Sequence, residues 1–142
     1  MTKALIDSNI LVYATDNRDK HKHEVSTELL EKAINKGDGV VSTQNLVEFA
    51  RVITEKIERP VDIEKTREII MELSDSMEII TYDQKTIAEA LHFAARYKLH
   101  FFDALLVATM EENFIKEIIT ENDRDFKGIS WLKVNNPFKQ TG

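Results

Sequence analysis

Apolar residues recur along this chain in two rhythms. Short apolar runs, at Ala4-Leu5-Ile6, Val40-Val41, Met77 to Ile80 (with Glu78 inside it) and Ile118-Ile119, predict buried strands. They are short and apolar rather than alternating, as in a parallel sheet covered on both faces. The first strand is expected over residues 3–6, ending at Asp7. Between these runs, apolar residues return every three or four positions, the spacing of a helix that buries one stripe. A short helix is expected from Asn9 to Ala14, then a polar stretch from Thr15 to Lys22. Val25, Leu29, Leu30, Ala33 and Ile34 form the next stripe, which Gly37 ends as a C-terminal cap. Ser42 or Thr43 caps a helix with Leu46, Ala50, Ile53 and Ile57 inward, and Pro60 stops it. A helix from Asp62 is expected to turn Ile63, Ile70 and Leu73 inward. One capped by Asp83 is expected to bury Ile87, Ala90, Leu91 and Ala94. Phe101 to Met110 is apolar nearly all round and predicts a helix buried on most sides. Asn122 to Gly128 reads as a turn, Ile129 to Val134 as an edge strand and the chain from Asn135 as loop.

Strands that alternate with one or two helices predict a three-layer α/β/α domain. With 142 residues, this is a single domain over 1–142, with a core of about 2–134 and a tail over 135–142. A hydrophobic fraction of 42% supplies a real core and excludes intrinsic disorder. With no cysteine, a disulfide scaffold, a Cys-ligated zinc and an iron–sulfur cluster are excluded. No apolar run approaches the roughly 20 residues of a membrane helix, so no membrane partner is expected and the cytoplasm is the expected location. The net charge of −6 argues against a broadly basic nucleic-acid surface. It says nothing about one face, and acids that hold a cation would exaggerate the negative sum.

In such folds ligands sit beyond the carboxyl ends of the strands. Asp7 lies there, in Ile6-Asp7-Ser8-Asn9. It reads as an N-cap, as a metal-binding carboxylate, or as both. Asp103, in Phe102-Asp103-Ala104-Leu105-Leu106-Val107, has Leu106 and Val107 at i+3 and i+4. A carboxylate there is costly unless it caps, pairs, binds metal or keeps its proton. Glu48 reads by periodicity alone as a polar-face residue with Arg51 as its partner. Thr120-Glu121-Asn122-Asp123-Arg124-Asp125-Phe126 reads as a solvated turn, or as a hydroxyl, an amide and carboxylates gathered at the ligand edge. His21 and His23 do not share a helical face and read as an exposed helix start, and His92 and His100 stand alone. There is no Gly-rich phosphate loop and no Ser-His-Asp motif.

Taken in order, these motifs resemble a PIN-domain ribonuclease, most closely the VapC-type toxins of toxin–antitoxin pairs. They are Ile6-Asp7-Ser8-Asn9-Ile10, Leu46-Val47-Glu48-Phe49, Phe102-Asp103-Ala104-Leu105, and Ile119-Thr120-Glu121-Asn122 with Asp125-Phe126, and they span almost the whole chain. The resemblance implies that Asp7, Glu48 and Asp103 converge above a parallel sheet as catalytic, metal-ligating residues. Asn122 stands where the family often has an aspartate, so Asn122, Asp123 and Asp125 are alternatives for a fourth position, and Asn122 and Asp125 are carried as catalytic candidates. The implied cofactor is Mg²⁺ or Mn²⁺, both of which favour oxygen ligands and would relieve the repulsion among the acids. The implied reaction is hydrolysis of RNA phosphodiesters to a 5′-phosphate and a 3′-hydroxyl. The implied partners are RNA, a small antitoxin protein and a second copy of the chain. Lys20, Lys22, Arg51, Lys56, Arg96, Lys98 and Arg124 are candidate phosphate contacts.

Two other readings compete. In a phosphoacceptor receiver domain, Asp83 after the third strand would be the acceptor, yet paired acids after the first strand are missing. In a catalytically degenerate PIN-like domain kept for binding, Asn122 would mark the lost chemistry.

Overall fold

Five parallel strands form the centre of the computed structural model, which describes residues 2–139. They are β1 (Ala4–Ile6), β2 (Gly39–Ser42), β3 (Glu78–Ile80), β4 (Glu117–Ile119) and β5 (Lys133–Asn135), in the order β3-β2-β1-β4-β5. The six α-helices are α1 (Ser8–Thr15), α2 (Lys20–Lys36), α3 (Thr43–Arg51), α4 (Ile63–Ser76), α5 (Gln84–Tyr97) and α6 (Phe101–Glu112). Successive strand residues point to opposite faces. Leu5, Val40 and Ile118 accordingly pack with α5 and α6, while Ile6 and Val41 pack with α1, α2, α3 and α4. The expected three-layer α/β/α architecture is therefore observed.

Most ends follow the expected chemistry. Asp7, Asp19, Ser42, Asp62 and Asp83 cap the helices that follow them. Gly37 closes α2 at φ +69°, a left-handed conformation that glycine adopts without strain. After Ser42 the helix widens to π geometry over Val52–Lys56 and ends at Ile57, before Pro60.

The differences concern faces and edges. Ile63 is 70% exposed and Leu91 is 59% exposed. In α5 the inward stripe is Thr86, Ala90 and Phe93. The Thr86 hydroxyl bonds Asp83 and Glu112, which turns its neighbour Ile87 outward, with Leu91 four residues on. Phe101 and Phe102 are also exposed, so the burial of α6 begins at Ala104. The stretch Thr15–Lys22 is polar as expected, but α2 already begins at Lys20. The last strand is shorter and later than 129–134, and Ile129 and Leu132 instead fill the core beside α6. Asn135 is strand rather than loop. Asn136 and Lys139 bond back to Asp123, while residues 140–142 of the expected tail lie outside the described residues.

Gly39 lets β2 approach its cover closely. A Cβ there would lie 2.8 Å from Ala33 Cβ and from Met77 Cε. Gly39→Ala is therefore expected to destabilise the fold by ~1–3 kcal/mol through overpacking. Urea unfolding measures this, and an unchanged midpoint would show that the α2 contact has slack.

Candidate active site

The middle strand ends at Asp7. Its backbone N–H donates to Ile119 O at 3.0 Å, so β1 and β4 finish level and Thr120 stands beside Asp7. Thr120 Oγ1 donates to Asp7 Oδ2 at 2.8 Å. Asp7 Oδ1 accepts from the Ser8 N–H at 2.8 Å and from Asn45 Nδ2 at 3.2 Å. The carboxyl thus caps α1 and faces the ligand edge at once, and Asp7 is only 6% exposed. Burial pushes its pKa up to about 6; the Thr120 and Ser8 bonds oppose this, and the charges of Glu48 and Asp103 add to it.

Glu48 projects from α3, half-buried. Its Oε2 accepts from Ser8 Oγ at 3.0 Å and its Oε1 from Gln44 Nε2 at 3.2 Å. Arg51 is not its partner, because that guanidinium lies 3.7 Å from Glu55, one turn further along. Asp103 sits in the first turn of α6, where it favours the positive end of the helix dipole. Partial burial raises its pKa, and the neighbouring charge of Asp125 adds to the rise. Asp7, Glu48, Asp103 and Asn122 line one recess of about 260 Å³, together with Ser8, Asn9, Tyr13, Gln44 and Leu106.

The fourth position is divided among three residues. Asn122 is exposed at the rim, its backbone N–H held by Thr120 Oγ1 at 3.0 Å. Asp123 turns away: its carboxylate accepts from Lys139 Nζ at 2.6 Å and Asn136 Nδ2 at 3.0 Å, and Lys127 lies 3.4 Å away. These donors hold it well below the usual carboxylate range. Asp125 is exposed outside the recess and acts on Asp103 through its charge. Asp83, the acceptor of the receiver reading, is bound to the Lys85 and Thr86 amides as the cap of α5 and does not line the recess.

Of the candidate cations, Lys22 is paired with Glu121 and lies over the rings of Tyr13 and Phe138. Lys20 and Lys56 line an open cavity beside Tyr13, Arg96 stacks on Tyr97, and Lys98 ends α5. His23 sits against the Tyr13 carbonyl, with Nδ1 at 2.8 Å. Sequence reasoning missed Gln44 and Asn45, although Gln44 lies at i−4 from Glu48 and Ser42-x-x-Asn45 has the spacing of a capping box.

The recess is lined by hard oxygen donors: three carboxylates, the hydroxyls of Ser8 and Tyr13 and the amides of Asn9, Gln44 and Asn122. This donor set fits Mg²⁺ or Mn²⁺ by chemistry. Among the described residues, no three acidic or histidine side chains are close enough to grip one ion together. That spacing suits a cation bound through one or two carboxylates with its remaining places open to water or phosphate.

The family model for the PIN domain matches residues 4–132. The chain belongs to the PIN domain family. Solved structures agree on the fold of this PIN domain. A toxin–antitoxin complex from Klebsiella pneumoniae is 25% identical with a TM-score of 0.70, covering 97% of this chain and 100% of that one. VapBC-1 from nontypeable Haemophilus influenzae is 16% identical with a TM-score of 0.68, covering 97% and 100%. VapC20 of Mycobacterium tuberculosis, described as a sarcin-ricin loop cleaving toxin, is 13% identical with a TM-score of 0.65, covering 82% and 87%. No curated protein matches significantly. Among the described residues no helix is long and apolar enough to cross a membrane.

The Asp7 carboxyl gives the metal-free PIN domain a defined pH response. Folded Asp7 keeps its proton up to about pH 6, whereas an ordinary aspartic acid in the unfolded chain loses it near 3.8. Its contribution to stability is fully present below the lower value and is lost as pH rises through the higher. The expected loss is ~3 kcal/mol. Urea unfolding in chelator between pH 4 and 7 measures it as the difference between wild type and Asp7→Asn. A difference that does not vary with pH would show that Asp7 ionises normally.

Proposed function

We propose that this PIN domain is a divalent-metal-dependent endoribonuclease and the toxin of a VapBC-type pair. The observation that carries the reading is the shared recess of Asp7, Glu48, Asp103 and Asn122 at the carboxyl edge of the sheet. Membership of a nuclease family and the toxin–antitoxin neighbours support it.

Each residue has a task in this reading. One or two of the Asp7, Glu48 and Asp103 carboxylates would ligate the cation directly and the others through water, with Mg²⁺ or Mn²⁺ as the candidates. When bound, the cation would lower the pKa of a water and offset charge on the phosphodiester. Thr120 and Asn45 fix which way the Asp7 oxygens face. Ser8 does the same for Glu48 from the α1 side. Asn122 fills the fourth position, its side chain at the exposed rim where water or phosphate can reach it. Asp125 adds negative charge beside Asp103, and Asp123 holds the chain after β5. Lys20 and Lys56, around the open cavity next to Tyr13, are the cations best placed for an RNA backbone entering the recess. In-line attack by water would leave a 5′-phosphate and a 3′-hydroxyl. The partners of this reading are RNA, a small antitoxin and a second copy of the chain. The cytoplasm is the compartment it requires.

End-labelled single-stranded RNA tests the activity. Cleavage is expected with Mn²⁺ or Mg²⁺ and not with chelator, and Asp103→Asn is expected to slow it by about 100-fold or more, ~3 kcal/mol of barrier. Mn²⁺ at about 100 times its Kd should stabilise the fold by ~2.7 kcal/mol, read as a higher melting temperature. Failure of both would favour the degenerate binding domain.

A further inference from the structure

Gln44 is buried in the first turn of α3, four residues before Glu48. Its Nε2 donates to the backbone carbonyl of Phe102 at 2.8 Å and to Glu48 Oε1 at 3.2 Å. Phe102 directly precedes Asp103 in α6. One amide therefore ties the helix that carries Glu48 to the turn that carries Asp103. The partners also dictate which way the amide faces. Both accept, so turning it over would press Oε1 against two oxygens. Oε1 is consequently left buried with no partner. A residue kept at this position for packing alone would be apolar, because a stranded acceptor weakens a fold.

We propose that Gln44 is a positioning residue of the recess: its amide bridge from Glu48 to the Phe102 carbonyl sets the spacing of the Glu48 and Asp103 carboxylates, and with it the affinity for a divalent cation. The inference rests on the cation reading above and names a residue through which that site works. Glu48 is held from both sides, by Ser8 on one oxygen and Gln44 on the other. Without the bridge, its carboxylate would be free to swing away from α6. Asn45, the next residue, restrains Asp7 in the same manner, so two adjacent amides on one helical turn serve two carboxylates.

The test is Mn²⁺ binding to the full chain without substrate, read from the electron paramagnetic resonance of the free ion. Gln44→Met keeps the length of the side chain and removes both donated bonds together with the stranded acceptor. Mn²⁺ binding is expected to weaken by about 10-fold or more, the usual effect of losing a group that orients a ligand. The melting temperature of the metal-free protein is expected to stay level or rise. In a Glu48→Gln background the same substitution should change the affinity by less than about 2-fold, because Gln44 acts through Glu48. Gln44→Leu is measured alongside, so that one poorly folded variant does not decide the matter. Wild-type affinity in the folded variants overturns the proposal, and so does an equal loss of affinity in both backgrounds. A lower melting temperature with unchanged affinity identifies a structural role and also overturns it. A wild-type protein that binds no Mn²⁺ overturns the cation reading itself, and this inference with it.

Discussion

The hydrogen bond from Thr120 to Asp7 decides where the other acidic groups can stand. It exists because β1 and β4 are parallel neighbours whose last paired residues, Ile6 and Ile119, lie in register. Thr120 Oγ1 accepts from Asn9 Nδ2 and from the Asn122 N–H, so its own proton is directed at Asp7. With the carboxyl anchored in this way, α1 starts at a fixed place, and Ser8 at its first turn meets Glu48. The rim follows, because Asn122 hangs from the same hydroxyl.

The arrangement works against the charge of its own parts. Burial and the charges of Glu48 and Asp103 all oppose ionisation of Asp7, and no lysine or arginine among the described residues pairs with any of the three. Such a cluster persists because the surrounding sheet and the two helical layers over-determine its geometry. The basic groups nearby are occupied elsewhere: Lys22 with Glu121, and Lys127 and Lys139 with Asp123. No internal ion pair therefore offsets the charge of these three groups among the described residues.

Much of this was legible in the sequence because it rests on local chemistry. Short apolar runs marked the strands, Gly37 and the aspartate caps marked helix ends, and Asp7 after the first run marked the ligand edge. Faces were harder to read. Ile87 and Leu91 looked inward by hydrophobicity, but the Thr86 hydroxyl, tied to Asp83 and Glu112, took that side of α5. Arg51 looked like the partner of Glu48 at i+3, yet Glu55 holds it. The acids after β4 could not be ranked, since nothing local shows that Asn136 and Lys139 fold back to claim Asp123. Gln44 went unnoticed because its meaning lies in Phe102, which is distant in sequence.

That strand order has a consequence for how the protein is made. The strand made before the other four is the middle of the finished sheet, and one of its two neighbours, β4, is made only after β2 and β3. Asp7 and Thr120 are 113 positions apart. A nascent chain can shape α1 to α5 around β1, β2 and β3, yet its acidic edge stays unassembled until β4 is released. Pairings of such long range are also slow to close. Whatever chemistry the acidic edge performs, the topology itself delays its onset until β4 has been made.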